Sequence, residues 1–135
     1  MKKILIITIL MSIISCKPTS KMVSGVDYKI IKIDSLETIY IIYAEKSDVS
    51  IRNSKIIKIA SSKKNNKCKR KNLINIGQIY KLNLVSLYPE NFVSHHNLGG
   101  ITYNSIYVPF DKDYNVKKDL FITENLEGLC YKISK

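Results

Sequence analysis

The sequence has little of the material that cofactor and metal sites need. Among 135 residues there are no tryptophans, two histidines, three cysteines and five glycines. This composition argues against a glycine-rich nucleotide loop and a metal centre with many ligands, so we expect no cofactor and no bound metal. Acidic residues are also few, because 11 Asp and Glu stand against 22 Lys and Arg, for a formal charge of +11. Such an excess favours anionic partners and says little about the fold.

Length and hydrophobic content are those of one small folded domain. A chain of 135 residues that is 45% hydrophobic can bury a single core. These values exclude a multidomain enzyme and a fully disordered tail.

The first residues have the pattern of an export signal. Lys2 and Lys3 supply a positive start, and the apolar residues 4–14 that follow are interrupted only by Thr8 and Ser12. The apolar run is too short for a membrane-spanning helix, which needs about 17 to 25 residues. A basic start followed by a short apolar run is typical of a signal peptide.

The end of this segment, Ile13-Ile14-Ser15-Cys16, resembles the lipobox of bacterial lipoproteins. The resemblance implies a signal peptide at 1–15, a lipidated Cys16 that opens a flexible tether at 16–26, and a domain at 27–135. It also implies an exported protein anchored in the bacterial cell envelope, at the inner or the outer membrane. Two or three acyl chains hold a protein durably, since each buried CH₂ contributes about 0.8 kcal/mol. An ordinary cleaved signal with an incidental cysteine and a plain cytosolic start are the alternatives.

The basic excess persists in the mature chain, where removal of residues 1–15 leaves a formal charge of +9. Its densest stretch, at 61–71, contains six cations and no acid: Lys63, Lys64, Lys67, Lys69, Arg70 and Lys71. These cations are a candidate site for an anionic lipid or glycan, or for an acidic protein surface. The alternative is a solvated loop whose Lys and Asn reflect AT-rich codons. We expect no nucleic acid partner, because no aromatic residues alternate with the cations to stack bases.

The mature chain contains two further cysteines, Cys68 and Cys130. Two cysteines in an exported chain are most simply a disulfide, because the compartment oxidises them. Closing a loop of about 60 residues would stabilise the fold by roughly 4 kcal/mol in the chain-entropy model. A reactive thiol at Cys68, whose cationic neighbours would lower its pKa, is the alternative.

Short alternating apolar runs from residue 27 onward predict strands, and no helical stripe persists. We expect a mainly β fold, a small single-domain antiparallel barrel or sandwich with little helix outside the signal segment. The run 38–44 is apolar on both faces and is predicted to be central, and Ile57 and Ile59 are predicted to point inward. The predicted strands are 28–33, 38–44, 48–51, 55–60, 72–76, 78–88, 101–108, 120–122 and 129–133.

The mature part resembles small lipoproteins of unknown function from AT-rich Gram-negative bacteria. The shared features are the Ile- and Tyr-rich strands, a Gly-x-x-Tyr turn at 77–80 and an Asn-Leu-x-Gly-Leu-Cys ending at 125–130. The resemblance spans most of residues 27–131. Its motifs are structural, and it implies no activity.

Three other features are candidate sites. The two histidines, His95 and His96, are adjacent and would point to opposite sides of an extended backbone, so we expect a surface loop and not a shared metal. The spacing of residues 111–115 is that of a Ca²⁺ loop, but Val116 replaces the turn glycine, and a polar turn is the better interpretation. Tyr103 and Tyr107 share the face of one predicted strand, as core residues or as an exposed aromatic platform.

These observations favour a membrane-anchored, non-catalytic binding or structural module of the cell envelope. One alternative is a small envelope hydrolase that uses His95 or His96 with a carboxylate brought close by folding. Another is an inhibitor or immunity-type lipoprotein that binds one protein partner tightly.

The lipobox predicts that Cys16 carries fatty acid. Cells fed radiolabelled palmitate should label the wild-type protein, and the Cys16→Ala variant should remain unlabelled and retain its signal peptide. The Cys68→Ala variant is the matched control and should label normally. Mass spectrometry that finds an intact initiator methionine and no acyl group would contradict the anchor.

Overall fold

Strands account for nearly all regular structure in residues 25–48, 55–64, 67–89 and 98–133, the parts that this computed structural model describes. The prediction of a mainly β fold is confirmed. No helix in these segments is long and apolar enough to cross a bilayer. The strands are β1 (Val26–Leu36), β2 (Ile39–Lys46), β3 (Ile57–Ser62), β4 (Ile79–Leu82), β5 (Leu84–Ser86), β6 (Gly100–Tyr103), β7 (Ile106–Pro109), β8 (Phe121–Thr123), β9 (Leu126–Glu127) and β10 (Cys130–Tyr131).

The first three strands form an antiparallel meander with β2 in the middle. The prediction that this run is central is confirmed, because neighbouring residues Ile41 and Ile42 point to opposite faces and both are buried. A register shift between Ile30 and Lys32 interrupts the pairing of β1 with β2. Irregularities of this kind increase the local twist and help a sheet to curl.

The six-stranded sheet curls so that its two edge strands, β4 and β5, come close together at one end. Strand β3 pairs in parallel with β8, β8 pairs with β5, and β4 pairs with β1, so β4 and β5 are the edge strands of the six-stranded sheet. Yet Leu82, which pairs with Val26, and Leu84, which pairs with Thr123, are separated only by Asn83. Two residues span at most about 7 Å, so the end of β4 lies close to the start of β5 although the two strands are at opposite edges of the sheet. The result is a half-barrel.

Counted as one strand, β4 and β5 complete a five-stranded arrangement in which the third and last strands run parallel. Small barrel-like folds host many unrelated functions, so the topology alone assigns none.

The Asn-Leu-x-Gly-Leu-Cys ending at 125–130 has structural roles, because its asparagine, glycine and cysteine each make a contact that supports the fold. Asn125 is fully buried, accepts a hydrogen bond at Oδ1 from the Asn83 backbone N–H at 2.7 Å and donates from Nδ2 to the Lys132 carbonyl at 3.1 Å. Gly128 has φ +58° and accepts the Ser61 hydroxyl at 2.8 Å. These contacts hold the C-terminal residues against the place where β4 gives way to β5.

A hairpin covers the outer face of the sheet. Strands β6 and β7 pack Ile101, Ile106 and Val108 against residues of β2 and β3, while a second cluster fills the barrel interior. The prediction of a single strand at 101–108 is therefore wrong. Asn104 and Ser105 both have positive φ, 50° and 63°, as in a type I′ hairpin turn.

The hairpin also places Tyr103 and Tyr107 on opposite faces, although they were predicted to share one face of a single strand. Tyr103 pairs with Ile106 and is half-buried, whereas Tyr107 pairs with Thr102 on the opposite face and is exposed. The aromatic platform is therefore not formed. The ring of Tyr107 lies against Gly100, where an added Cβ would stand 2.7 Å from the ring.

Two other predicted strands differ from the structure. Residues 72–76 do not form a strand. A 3-10 helix at Arg70–Asn72 is followed there by a single β-bridge between Leu73 and Cys130. The predicted strand 78–88 is broken at Asn83. The Gly-x-x-Tyr motif does form a turn, in which the Gly77 backbone N–H donates to the Ile30 carbonyl at 2.7 Å. Most of the predicted strand 48–51 lies outside the described residues.

The predicted disulfide between Cys68 and Cys130 is confirmed, with the two Cα atoms 5.7 Å apart. It joins residues 62 positions apart and fastens the basic stretch to β10. The Ile74 backbone N–H also donates to the Leu129 carbonyl at 2.9 Å, so two connections hold this stretch on the barrel.

The double substitution Cys68→Ser and Cys130→Ser should lower the free energy of unfolding by roughly 4 kcal/mol, since it frees a loop of 62 residues in the unfolded chain. Urea unfolding followed by far-ultraviolet circular dichroism measures the change. Reduced wild type is the matched control and should unfold with the double variant. Equal stability of oxidised wild type and the double variant would show that the bridge contributes nothing.

Candidate functional site

The six cations singled out in the sequence, here called the cationic segment, do not all remain available. Lys63 is engaged, because its Nζ donates to the Ser35 hydroxyl and to the Glu37 carbonyl, the latter at 2.8 Å. The same Nζ lies 5.0 Å from the ring centre of Tyr40. Lys63 therefore braces the turn between β1 and β2.

The other five members, Lys64, Lys67, Lys69, Arg70 and Lys71, are exposed, and no carboxylate of the described chain pairs with them. The backbone around Lys67, Lys69, Arg70 and Lys71 is held in place by the Cys68 bridge and by a turn in which the Asn72 N–H donates to the Lys69 carbonyl at 2.8 Å. The sequence predicted a cationic surface stretch. The structure adds that part of it has a fixed conformation, which lowers the entropic cost of binding.

A cleft of about 540 Å³ opens on one side of the β6–β7 hairpin. Its walls include Lys64, Tyr103 and several hydroxyl, amide and carboxylate side chains. Many of these polar groups already serve the fold: the Ser61 hydroxyl donates to the Gly128 carbonyl, and Glu127 pairs with Lys132. At least these two lining groups therefore have structural contacts within the fold.

A smaller cleft of about 380 Å³ contains the most buried charge in the described chain, Lys58 on β3. Lys58 is 2% exposed; its Nζ donates to the Pro109 carbonyl at 2.7 Å and lies 3.1 Å from Asp111 Oδ2. A buried lysine needs such partners, because an unpaired ammonium is costly to remove from water. We name this site the Lys58 cleft.

The burial of Lys58 was not predicted from the sequence, and the strand pattern explains why. Ile57 and Ile59 point into the barrel as predicted, and alternation places Lys58 on the outer face of β3. The β6–β7 hairpin, which was not predicted from the sequence, packs on that face and helps to bury it. A lone lysine between two isoleucines is otherwise the ordinary pattern of a strand with one solvated side.

Two ion pairs and an aromatic ring lie together at the Lys58 cleft. Lys32 Nζ lies 3.0 Å from Asp34 Oδ2 and 4.9 Å from the ring centre of Tyr43. The hydrogen bond to Asp34 is the main cause that raises the pKa of Lys32, with further support from the charges of Asp34, Tyr43 and Asp111. Burial raises the pKa of Tyr43 above that of an ordinary phenol, and the carboxylates of Asp111 and Asp34 raise it further.

The acids of the Ca²⁺-like sequence do not converge. Asp111 faces Lys58, Asp113 accepts the Asn115 backbone N–H at 2.9 Å, and Asp119 accepts the Ser86 hydroxyl at 2.7 Å. The prediction of a polar turn agrees with this geometry. Within residues 25–48, 55–64, 67–89 and 98–133, no three His, Cys, Asp or Glu residues are placed to hold a metal ion.

Two other candidate positions, Cys16 and the histidine pair His95 and His96, lie outside the described residues. Lipidation and the hydrolase alternative therefore stay predictions. Comparisons with protein-family models, with curated proteins and with solved structures return no match to this chain.

Proposed function

We propose that this chain is a lipid-anchored protein of the bacterial cell envelope whose β-domain is a non-catalytic binding module. Its cationic segment contacts the anionic head groups of the membrane that holds the anchor. The observation that carries the binding role is the set of five exposed cations, without carboxylate partners in the described chain, on a backbone held by a disulfide.

Two features support the location. The lipobox at residues 13–16 is the pattern of a lipoprotein cleavage site, and disulfides such as Cys68–Cys130 persist in oxidising compartments outside the cytosol. The bridge also fastens residue 68 of the basic stretch to β10, so the oxidising compartment that preserves the bond would support the binding surface as well.

The geometry of the anchor favours lipid over other anions. Cys16 precedes Gly25, the first described residue, by nine positions, which span at most about 30 Å when extended. A domain held this close meets head groups at a high effective concentration. Near an anionic surface each Lys or Arg contributes about 1 kcal/mol, and a basic cluster is a common second signal beside acyl chains.

The hydrolase and the inhibitor or immunity-type alternatives are retained as other proposals. The first requires His95 or His96 within hydrogen-bond reach of a carboxylate. The second requires one tight protein partner recovered from envelope extracts.

Lysine footprinting tests the membrane contact. The full-length lipidated protein is placed in neutral phosphatidylcholine vesicles and in vesicles with added phosphatidylglycerol, and acetylation of each lysine is followed by mass spectrometry. We expect acetylation of Lys64, Lys67, Lys69 and Lys71 to slow at least threefold on the anionic vesicles. High salt should remove the protection, since exposed charges are screened.

The variant that combines Lys67→Gln, Lys69→Gln and Lys71→Gln should lose the protection of Lys64. The matched control replaces three other exposed lysines, Lys46, Lys112 and Lys118, by Gln and should keep it. Equal acetylation on both kinds of vesicle would contradict the proposal. Protection by a soluble acidic glycan, without protection by anionic vesicles, would assign the segment to glycan and also contradict it.

A further inference from the structure

The Lys58 cleft combines charged groups with an apolar wall. Its carboxylates are Asp34 and Asp111, and the ring of Tyr43 forms part of its lining. Leu36, Ile41 and Val108 supply apolar surface between them, as the side chains of the outer core cluster. A volume of about 380 Å³ lies within the range of pockets that hold small ligands.

One acceptor in this cleft has an ion-pair partner but no hydrogen bond. Asp111 Oδ2 is closed off from solvent and has no hydrogen bond from the described residues. The nearby Lys58 Nζ, at 3.1 Å, forms an ion pair with it but is not aligned for a hydrogen bond, and the Lys58 ammonium donates instead to the Pro109 carbonyl. A buried carboxylate oxygen in this state is suited to a further donor.

An ammonium group, that of Lys32, already contacts two of the residues that line the cleft. Lys32 Nζ lies 3.0 Å from Asp34 Oδ2 and 4.9 Å from the Tyr43 ring centre, so it has both the carboxylate and the aromatic face that recognise an amine. Lys32 is largely exposed, with 59% of its side chain accessible, and a surface pair of this kind is weak. It can therefore be displaced by a ligand that makes the same contacts.

We propose that the Lys58 cleft binds an alkylammonium group, and that Lys32 is an internal competitor that occupies the cation position when no ligand is present. The ligand's ammonium contacts Asp34 and the face of Tyr43, and its alkyl chain lies along Leu36, Ile41 and Val108. With Lys32 displaced, Asp34 and Asp111 face one cation, Lys58, so a second cation balances the charge of the site.

The inference does not depend on the envelope location or on the cationic segment. A free aliphatic amine and the side chain of a lysine on another protein share the chemistry that the cleft would recognise. The test includes both sources.

The experiment titrates full-length protein in detergent with n-pentylammonium chloride and follows backbone amide shifts by ¹H–¹⁵N NMR. We expect saturable shifts at Asp34, Ser35 and Tyr43. The Lys32→Gln variant should bind at least threefold more tightly, because the competitor is gone. Asp34→Asn should bind at least fivefold more weakly, because the carboxylate is lost.

Both substitutions are on exposed side chains, and the matched control is Lys29→Gln, an exposed lysine on the same strand, which should leave the affinity unchanged. A parallel titration with N-acetyl-lysine methylamide shows whether a lysine side chain in a peptide is accepted as well as a free amine. Shifts with either amine support the proposal, and the stronger of the two identifies the source.

Three results would overturn the proposal. The first is the absence of saturable shifts with either amine in Lys32→Gln. The second is equal binding of n-pentanol, which has a similar chain and no charge. The third is equal affinity of wild type and Lys32→Gln, because Lys32 would then not occupy the site.

Discussion

The domain depends on one stretch of backbone that pairs with both ends of the same sheet. Residues before Asn83 pair with β1, and residues after it pair with β8. At the change of partner strand, the Asn83 backbone N–H donates to Oδ1 of the buried Asn125 side chain at 2.7 Å. A hydrogen bond of this kind contributes about 0.5 to 1.5 kcal/mol, so it supports the curled sheet at this point.

The other features follow from that closure. Curling places Ile30, Ile42 and Leu82 in a shared interior, and it turns the second face of β2 and β3 outward. The β6–β7 hairpin then packs on the outward face and buries it. Because the hairpin covers only the middle of that face, a cleft remains on each side, and one of them contains a lysine removed from solvent.

The charges are arranged in two regions of opposite character. Exposed cations without a carboxylate partner among the described residues are concentrated on the stretch that the disulfide fastens to β10, while Asp34 and Asp111 both line the Lys58 cleft of this basic protein. The net charge of +11 predicts a cationic surface region, but it does not indicate the carboxylates of the Lys58 cleft. Overall composition describes attraction at long range, and specific recognition depends on where a few opposite charges lie.

Local signals predicted the parts of the fold that depend on local chemistry. The β-branched alternation of residues 28–33 and 38–44 marked β1 and β2, and the count of cysteines marked the bridge. The missed features are set by contacts between distant residues. Type I′ turns are usually marked by pairs that contain glycine, and Asn104-Ser105 is not such a pair. The sequence therefore predicts one strand at 101–108 instead of a hairpin. The break at Asn83 depends on Asn125, and the burial of Lys58 depends on the hairpin; neither has a local signature.

The most direct test of the account is whether one molecule forms both pairings around Asn83. Nuclear Overhauser contacts in the monomeric protein can be measured between Leu82 and Val26 and between Leu84 and Thr123. The account predicts that both sets are present together, and that the Asn83 amide exchanges slowly with solvent. Contacts on one side only, with rapid exchange at Asn83, would show an open sheet and contradict the closed arrangement on which the clefts depend.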